Sequence, residues 1–173
     1  TCDAGCLSTT PACGTDLALG SVTTLTSYNV PFTGAANSRN PSCVGTAGNG
    51  GLDMSLSWTA PAAGLYQIDT IGSGRDTVLS VVNGCNLTGT DLVCDDDGAV
   101  GGSTGRESST RVTATAGQTF IIWVDTYGTT STGTAVLNIY YYGDANCGDI
   151  GDTDGDRLLN CVETGTGVYV STT

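Results

Sequence analysis

The sequence predicts an all-β protein, an antiparallel β-sandwich of two sheets, and three observations carry that expectation. Glycine makes up 26 of the 173 residues while Lys is absent and Glu occurs twice, so turn formers are plentiful and strong helix formers scarce. Short runs rich in Val, Ile, Thr and Tyr alternate apolar with polar positions, the period of a strand that buries one face. Gly-bearing turns divide these runs, and no helical period occurs before residue 150.

Taken in order, residues 1–16 form a Cys- and Thr-rich arm broken by Pro11 and Gly14. Leu17 to Thr24 reads as the first strand and Thr33 to Gly51 as a loop around Cys43. LDMSLSW then places Leu52, Met54, Leu56 and Trp58 on one face and Asp53, Ser55 and Ser57 on the other, a half-buried antiparallel strand. TAPAAG turns the chain into LYQIDT, with Tyr66 and Ile68 inward, as a hairpin or a pair that crosses between sheets. DTVLSVV, STRVTAT, TFIIWVD and TAVLNIYYY continue the same grammar, for seven or eight strands in all. The expected organisation is an arm over 1–16, a sandwich over 17–143, and a calcium loop with a terminal strand over 144–173.

Composition removes most catalytic chemistry. With no His and no Lys, the chain has no Ser-His-Asp or Cys-His nucleophile, no Schiff base and no imidazole-bound zinc. Two Glu and two Trp offer little to a glycosidase, so no enzyme is expected. A net charge of -12 argues against nucleic acid and anionic lipid, whose phosphates require Lys and Arg. No apolar run approaches the roughly 20 residues of a spanning helix, so no membrane insertion is expected. The start at Thr1, without a charged apolar leader, is read as that of a processed chain.

Eight cysteines point to an oxidising compartment and hence to secretion. Local spacing suggests Cys85 with Cys94 and Cys147 with Cys161, leaving Cys13 for Cys43 and Cys2 for Cys6, the last two also able to bond a neighbouring molecule.

The sharpest chemical signal is DTDGDRLLNCVE. A hard cation takes six to eight oxygens, and an EF-hand loop supplies them from positions 1, 3, 5, 7, 9 and 12. Here these are Asp152, Asp154, Asp156, Leu158 by its carbonyl, Asn160 and Glu163. Arg157 stands at the sixth position, where the turn favours Gly, at a cost of roughly 1–2 kcal/mol. The segment resembles the calcium loops of dockerins and thrombospondin type 3 repeats, and the cofactor expected is Ca2+. A second cation site is drawn around Asp95, Asp96 and Asp97, with Asp76 and Asp125 as candidate partners across the strands.

TAPAAGLYQIDT, SGRDTVLSV, NGC to LVCDDD and TATAGQTFIIWVDTYG follow one another in an order that resembles bacterial pre-peptidase C-terminal (PPC) domains, from Leu52 to Tyr142. The resemblance implies a non-catalytic jelly-roll-like sandwich of the kind appended to secreted peptidases and related in architecture to collagen-binding domains.

These readings predict a secreted, calcium-stabilised structural module at a bacterial cell surface, without catalysis. The preferred version self-assembles into an extracellular fibre or array, with Val168, Tyr169 and Val170 as the strand added to a neighbour's sheet, so a homo-oligomer or polymer is expected. The alternative is an adhesive module for polysaccharide or a collagen-like ligand. For that version Trp58, Trp123 and Tyr140 to Tyr142 are the candidate stacking surface, although their alternation fits core and edge packing better.

Overall fold

The computed structural model describes residues 12–21, 26–45, 51–102, 104–128 and 132–143. Among these residues a single turn of 3-10 helix, Ala12–Gly14, precedes nine strands: β1 (Leu17–Gly20), β2 (Thr26–Pro31), β3 (Asp53–Thr59), β4 (Gly64–Asp69), β5 (Thr77–Asn83), β6 (Val93–Asp95), β7 (Ser109–Ala114), β8 (Thr119–Thr126) and β9 (Thr134–Gly143). They form two sheets, a five-stranded one in the order β1-β3-β8-β5-β6 and a four-stranded one in the order β2-β9-β4-β7. The protein is an all-β sandwich. No helix among the described residues is long and apolar enough to cross a membrane.

Alternation explains how the layers meet. Leu56, Trp58, Phe120 and Ile122 point from the five-stranded sheet toward Tyr66, Ile68, Leu137 and Ile139 of the other, and all are at most 1% exposed. Trp58 stacks on Phe120 at 5.7 Å and meets the edge of Tyr66 at 4.8 Å, which ties the layers at their centre. β3 and β4 lie in different sheets, so the 52–70 segment is a crossing pair rather than a hairpin. Gly64 opens β4 because a Cβ there would stand 2.3 Å from the Tyr141 ring.

Three expectations are corrected. β1 runs parallel to β3, so the larger sheet is mixed, not purely antiparallel. The first strand ends at Gly20, and a further strand, β2, pairs with β9 at the edge of the smaller sheet. The polar side of β3 is not solvent-facing: Asp53, Ser55 and Ser57 are each no more than 3% exposed. Chain from both flanks covers them. Asp16 accepts hydrogen bonds from the Ser55 amide at 2.8 Å and its hydroxyl at 2.7 Å, and Ala36 bridges to Asp53.

The same covering layer explains the disulfides. They join Cys13 to Cys85 and Cys43 to Cys94, with Cα atoms 4.9 and 5.6 Å apart, in place of the expected Cys85 to Cys94 and Cys13 to Cys43. Cys94 lies opposite Ser80 in the β5–β6 ladder. Cys85 is five residues further along from Ser80, about 16 Å away at strand rise, beyond the reach of a disulfide. Cys2, Cys6, Cys147 and Cys161 lie outside the described residues.

Candidate functional site

Two surfaces gather polar chemistry. The first is a corner formed where β5 begins and β6 ends. Because Leu79 pairs with Asp95 in that antiparallel ladder, Asp76 just before β5 meets Asp96 and Asp97 just after β6. One carboxylate oxygen from each lies within 4.8 Å of the other two, a spacing suited to a hard cation with Ca–O distances of about 2.3–2.6 Å. The Ser108 hydroxyl holds the corner, 2.6 Å from the Thr77 carbonyl and 2.7 Å from that of Asp96. Arg106 donates to Asp76 at 2.8 Å. Burial, then repulsion from Asp97, Asp76 and Asp95, pushes the Asp96 carboxyl up to about 6.

The other two residues of the expected second cation site lie apart. Asp95 turns inward as a loop tie, its Oδ2 accepting from the Gly98 amide at 2.9 Å and the Ser109 amide at 2.7 Å. Asp125 is opposite Asp53 in the β3–β8 ladder, and burial followed by the charge of Asp53 pushes its carboxyl up to about 8. Asp152, Asp154, Asp156, Leu158, Asn160 and Glu163 lie outside the described residues, as do Val168, Tyr169 and Val170.

The second surface is a groove of about 300 Å3 on the outer face of the four-stranded sheet. Three adjacent strands build it: β7 contributes Arg111, β4 Gln67 and Asp69, and β9 Tyr140 and Tyr142. Arg111 lies 3.8 Å over the Tyr142 ring and donates through Nε to Gln67 Oε1 at 2.7 Å. The Gln67 amide in turn donates to the Ser109 hydroxyl. Asn138 donates to Asp69 Oδ1 at 2.7 Å and accepts from the Ser27 hydroxyl at 2.6 Å. Asp69 is fully buried, yet its Oδ2 has no hydrogen-bond partner among the described residues. An acceptor of that kind is costly unless a donor reaches it. Val100, 94% exposed, forms an apolar rim.

Of the aromatic residues weighed from the sequence, only Tyr140 and Tyr142 line this groove. Trp58 is in the core, Tyr141 packs edge-on against Tyr66 at 5.3 Å, and Trp123 lies 5% exposed with Arg39 5.6 Å above its ring. Gln67, Asp69, Arg111 and Asn138 escaped sequence reasoning. The available signal was the polar half of the alternation in LYQIDT and LNIYYY, which marks one outward face without saying which strands join it.

No family model matches this chain, and no curated protein matches it. Among solved structures it is similar to the pre-peptidase C-terminal domain of collagenase from Bacillus anthracis, at 10% identity and a TM-score of 0.40, over 71% of this chain and 92% of that one.

Proposed function

We propose that this chain is a non-catalytic module of a secreted protein, and that it works by holding an extracellular polymer against the outer face of its four-stranded sheet. The observation that carries the reading is the groove in which the exposed Arg111 lies over the half-buried Tyr142 ring and is held there by Gln67. That set suits a hydroxyl-rich ligand: Arg111 donates to hydroxyl oxygens, and Tyr142 with Val100 supplies apolar contact at the groove mouth. The protein's charge of -12 repels acidic polymers, so the ligand class is neutral polysaccharide. Two disulfides among the described residues fit the oxidising exterior that such a role requires.

Sedimentation with insoluble neutral polysaccharides, and separately with collagen, tests the reading. Retention on polysaccharide that falls at least tenfold in both Arg111→Ala and Tyr142→Ala supports it; retention on collagen alone reassigns the ligand; retention on neither sinks it.

A second reading, self-assembly by strand addition, is favoured by β2. This six-residue strand pairs with β9 alone among the described strands, so its other side is an edge onto which Val168 to Val170 of a neighbouring copy would add. Calcium at Asp152 to Glu163 and at the Asp76, Asp96 and Asp97 corner then sets the stiffness of the joint. Electron microscopy of the full chain in millimolar calcium and after chelation separates the two: filaments that loosen on chelation support assembly, and dispersed particles in both conditions exclude it. Replacing Asp154 and Glu163 by Ala should remove part of the calcium-dependent rise in melting temperature, and an unchanged rise rules out a structural ion in that loop.

A further inference from the structure

A different pair of acids, on the opposite sheet and remote from the groove, has no place in either reading. Asp53 on β3 and Asp125 on β8 are directly opposed in register and point to the same outer side of the five-stranded sheet. They are 3% and 2% exposed. Like charges placed so are destabilising in an open sheet, and more so away from water. Asp53 Oδ2 accepts from the Ser38 amide at 2.7 Å and the Arg39 amide at 2.8 Å, which seats the covering segment on the strand. Each residue retains one buried oxygen, Oδ1 in both cases, with no hydrogen-bond partner among the described residues. The Arg39 guanidinium donates to the Leu87 and Gly89 carbonyls and to Asp91. Backbone oxygen is at hand: a Cβ on Gly51 would stand 1.7 Å from the Thr126 carbonyl oxygen and 2.3 Å from Asp125 Oδ1, so both oxygens crowd the same point.

We propose that Asp53 and Asp125 hold one calcium ion beneath the segment that runs from Ala36 to Arg39, with the two orphaned carboxylate oxygens as its anionic ligands. An all-oxygen donor set selects a hard cation, and irregular geometry completed by carbonyl and water favours Ca2+ over Mg2+, which demands a near-ideal octahedron. Two negative charges against a divalent ion turn the repulsion across the ladder into attraction. The ion thereby fastens the covering layer to the sheet.

Trp123 provides a local reporter, since it lies two residues before Asp125 on the same face of β8. The test uses the full chain with Asp154→Ala and Glu163→Ala, which silences the C-terminal loop, and with Asp96→Asn and Asp97→Asn, which silences the acid corner, and Tb3+ as the calcium probe. Excitation of tryptophan should give sensitised terbium emission that Ca2+ displaces, and adding Asp125→Asn should lower it at least tenfold. In the same background, calcium should raise the melting temperature, and Asp125→Asn should abolish that rise while leaving the melting temperature in chelator unchanged or higher, because the repulsion has gone. Asp53→Asn repeats the test should Asp125→Asn fail to fold. Absent emission in the loop-silenced chain, or emission and calcium response that survive both substitutions, overturns the proposal.

Discussion

The two sheets treat their outer faces differently. The five-stranded sheet hides its outer face: Ser55, Ser80, Trp123 and Asp125 are all at most 5% exposed, beneath chain held by two disulfides and by the clasp of Arg39 on Asp91. The four-stranded sheet also buries the centre of its outer face, where Gln67, Asp69, Asn138 and Tyr140 are at most 6% exposed, but it keeps a groove in which Gln67, Arg111 and Tyr142 are linked to one another across three strands. One outer face is therefore closed, and the other keeps an open groove. The difference shows why a polar residue on a strand cannot be assigned to solvent from alternation alone: Ser55 and Gln67 occupy equivalent outward positions, and one lies under a roof while the other lines a groove.

Four experiments break or sharpen this contrast. Trp58→Ala, between the sheets, should cost about 3–5 kcal/mol and lower the urea midpoint of both faces together, because the core is common to them. Replacing Cys13 and Cys85 by Ser should cost about 4 kcal/mol in the chain-entropy account, yet leave polysaccharide retention intact at temperatures where the variant is folded, since the bridge lies on the covered sheet.

Acid should loosen the covered face selectively. Burial disfavours the charge on Asp91, but hydrogen bonds from Arg39 and Ser42 outweigh it and hold the carboxyl below its ordinary value. Its contribution is thus present above the unfolded value, about 3.9, and is lost as pH falls through the lower folded value. Hydrogen exchange at the amides of 36–45 should accelerate below about pH 4 before those of β4 and β9 do, and Asp91→Asn should remove the difference. The smallest effect is Val100→Ser at the groove rim, which should change stability by less than about 0.5 kcal/mol and show itself only as weaker retention on the polymer.

Much of this fold was legible because its signal is local. The inward set Leu56, Trp58, Tyr66 and Ile68 follows from period two, and each lies in the core. β2 went unread although Tyr28 and Val30 alternate inward, because Pro31 and a polar majority in TSYNVP resemble a turn. The disulfides could not be paired from spacing, since the register of β5 against β6 carries Cys94 away from Cys85. At the acid corner the sequence supplied Asp96 and Asp97 by adjacency, whereas the partnership of Asp125 with Asp53 depends on a ladder between strands far apart in the chain. The groove was hidden for the same reason: Arg111, Gln67 and Tyr142 meet only once β7, β4 and β9 are ordered side by side.

The crossed disulfides also decide how the molecule carries load. Cys13 is bonded to Cys85 and Cys43 to Cys94, so the two closed loops, of separations 72 and 51, interlock along the chain. Tension applied from the N-terminal side reaches Cys13 before β1 and passes through sulfur to the loop after β5, bypassing the short parallel β1–β3 pairing altogether. The stretch between the two cysteines cannot lengthen while the bridge is intact. The chain between Cys13 and Cys94 is therefore nearly inextensible, whereas β7, β8 and β9 are enclosed by no described disulfide.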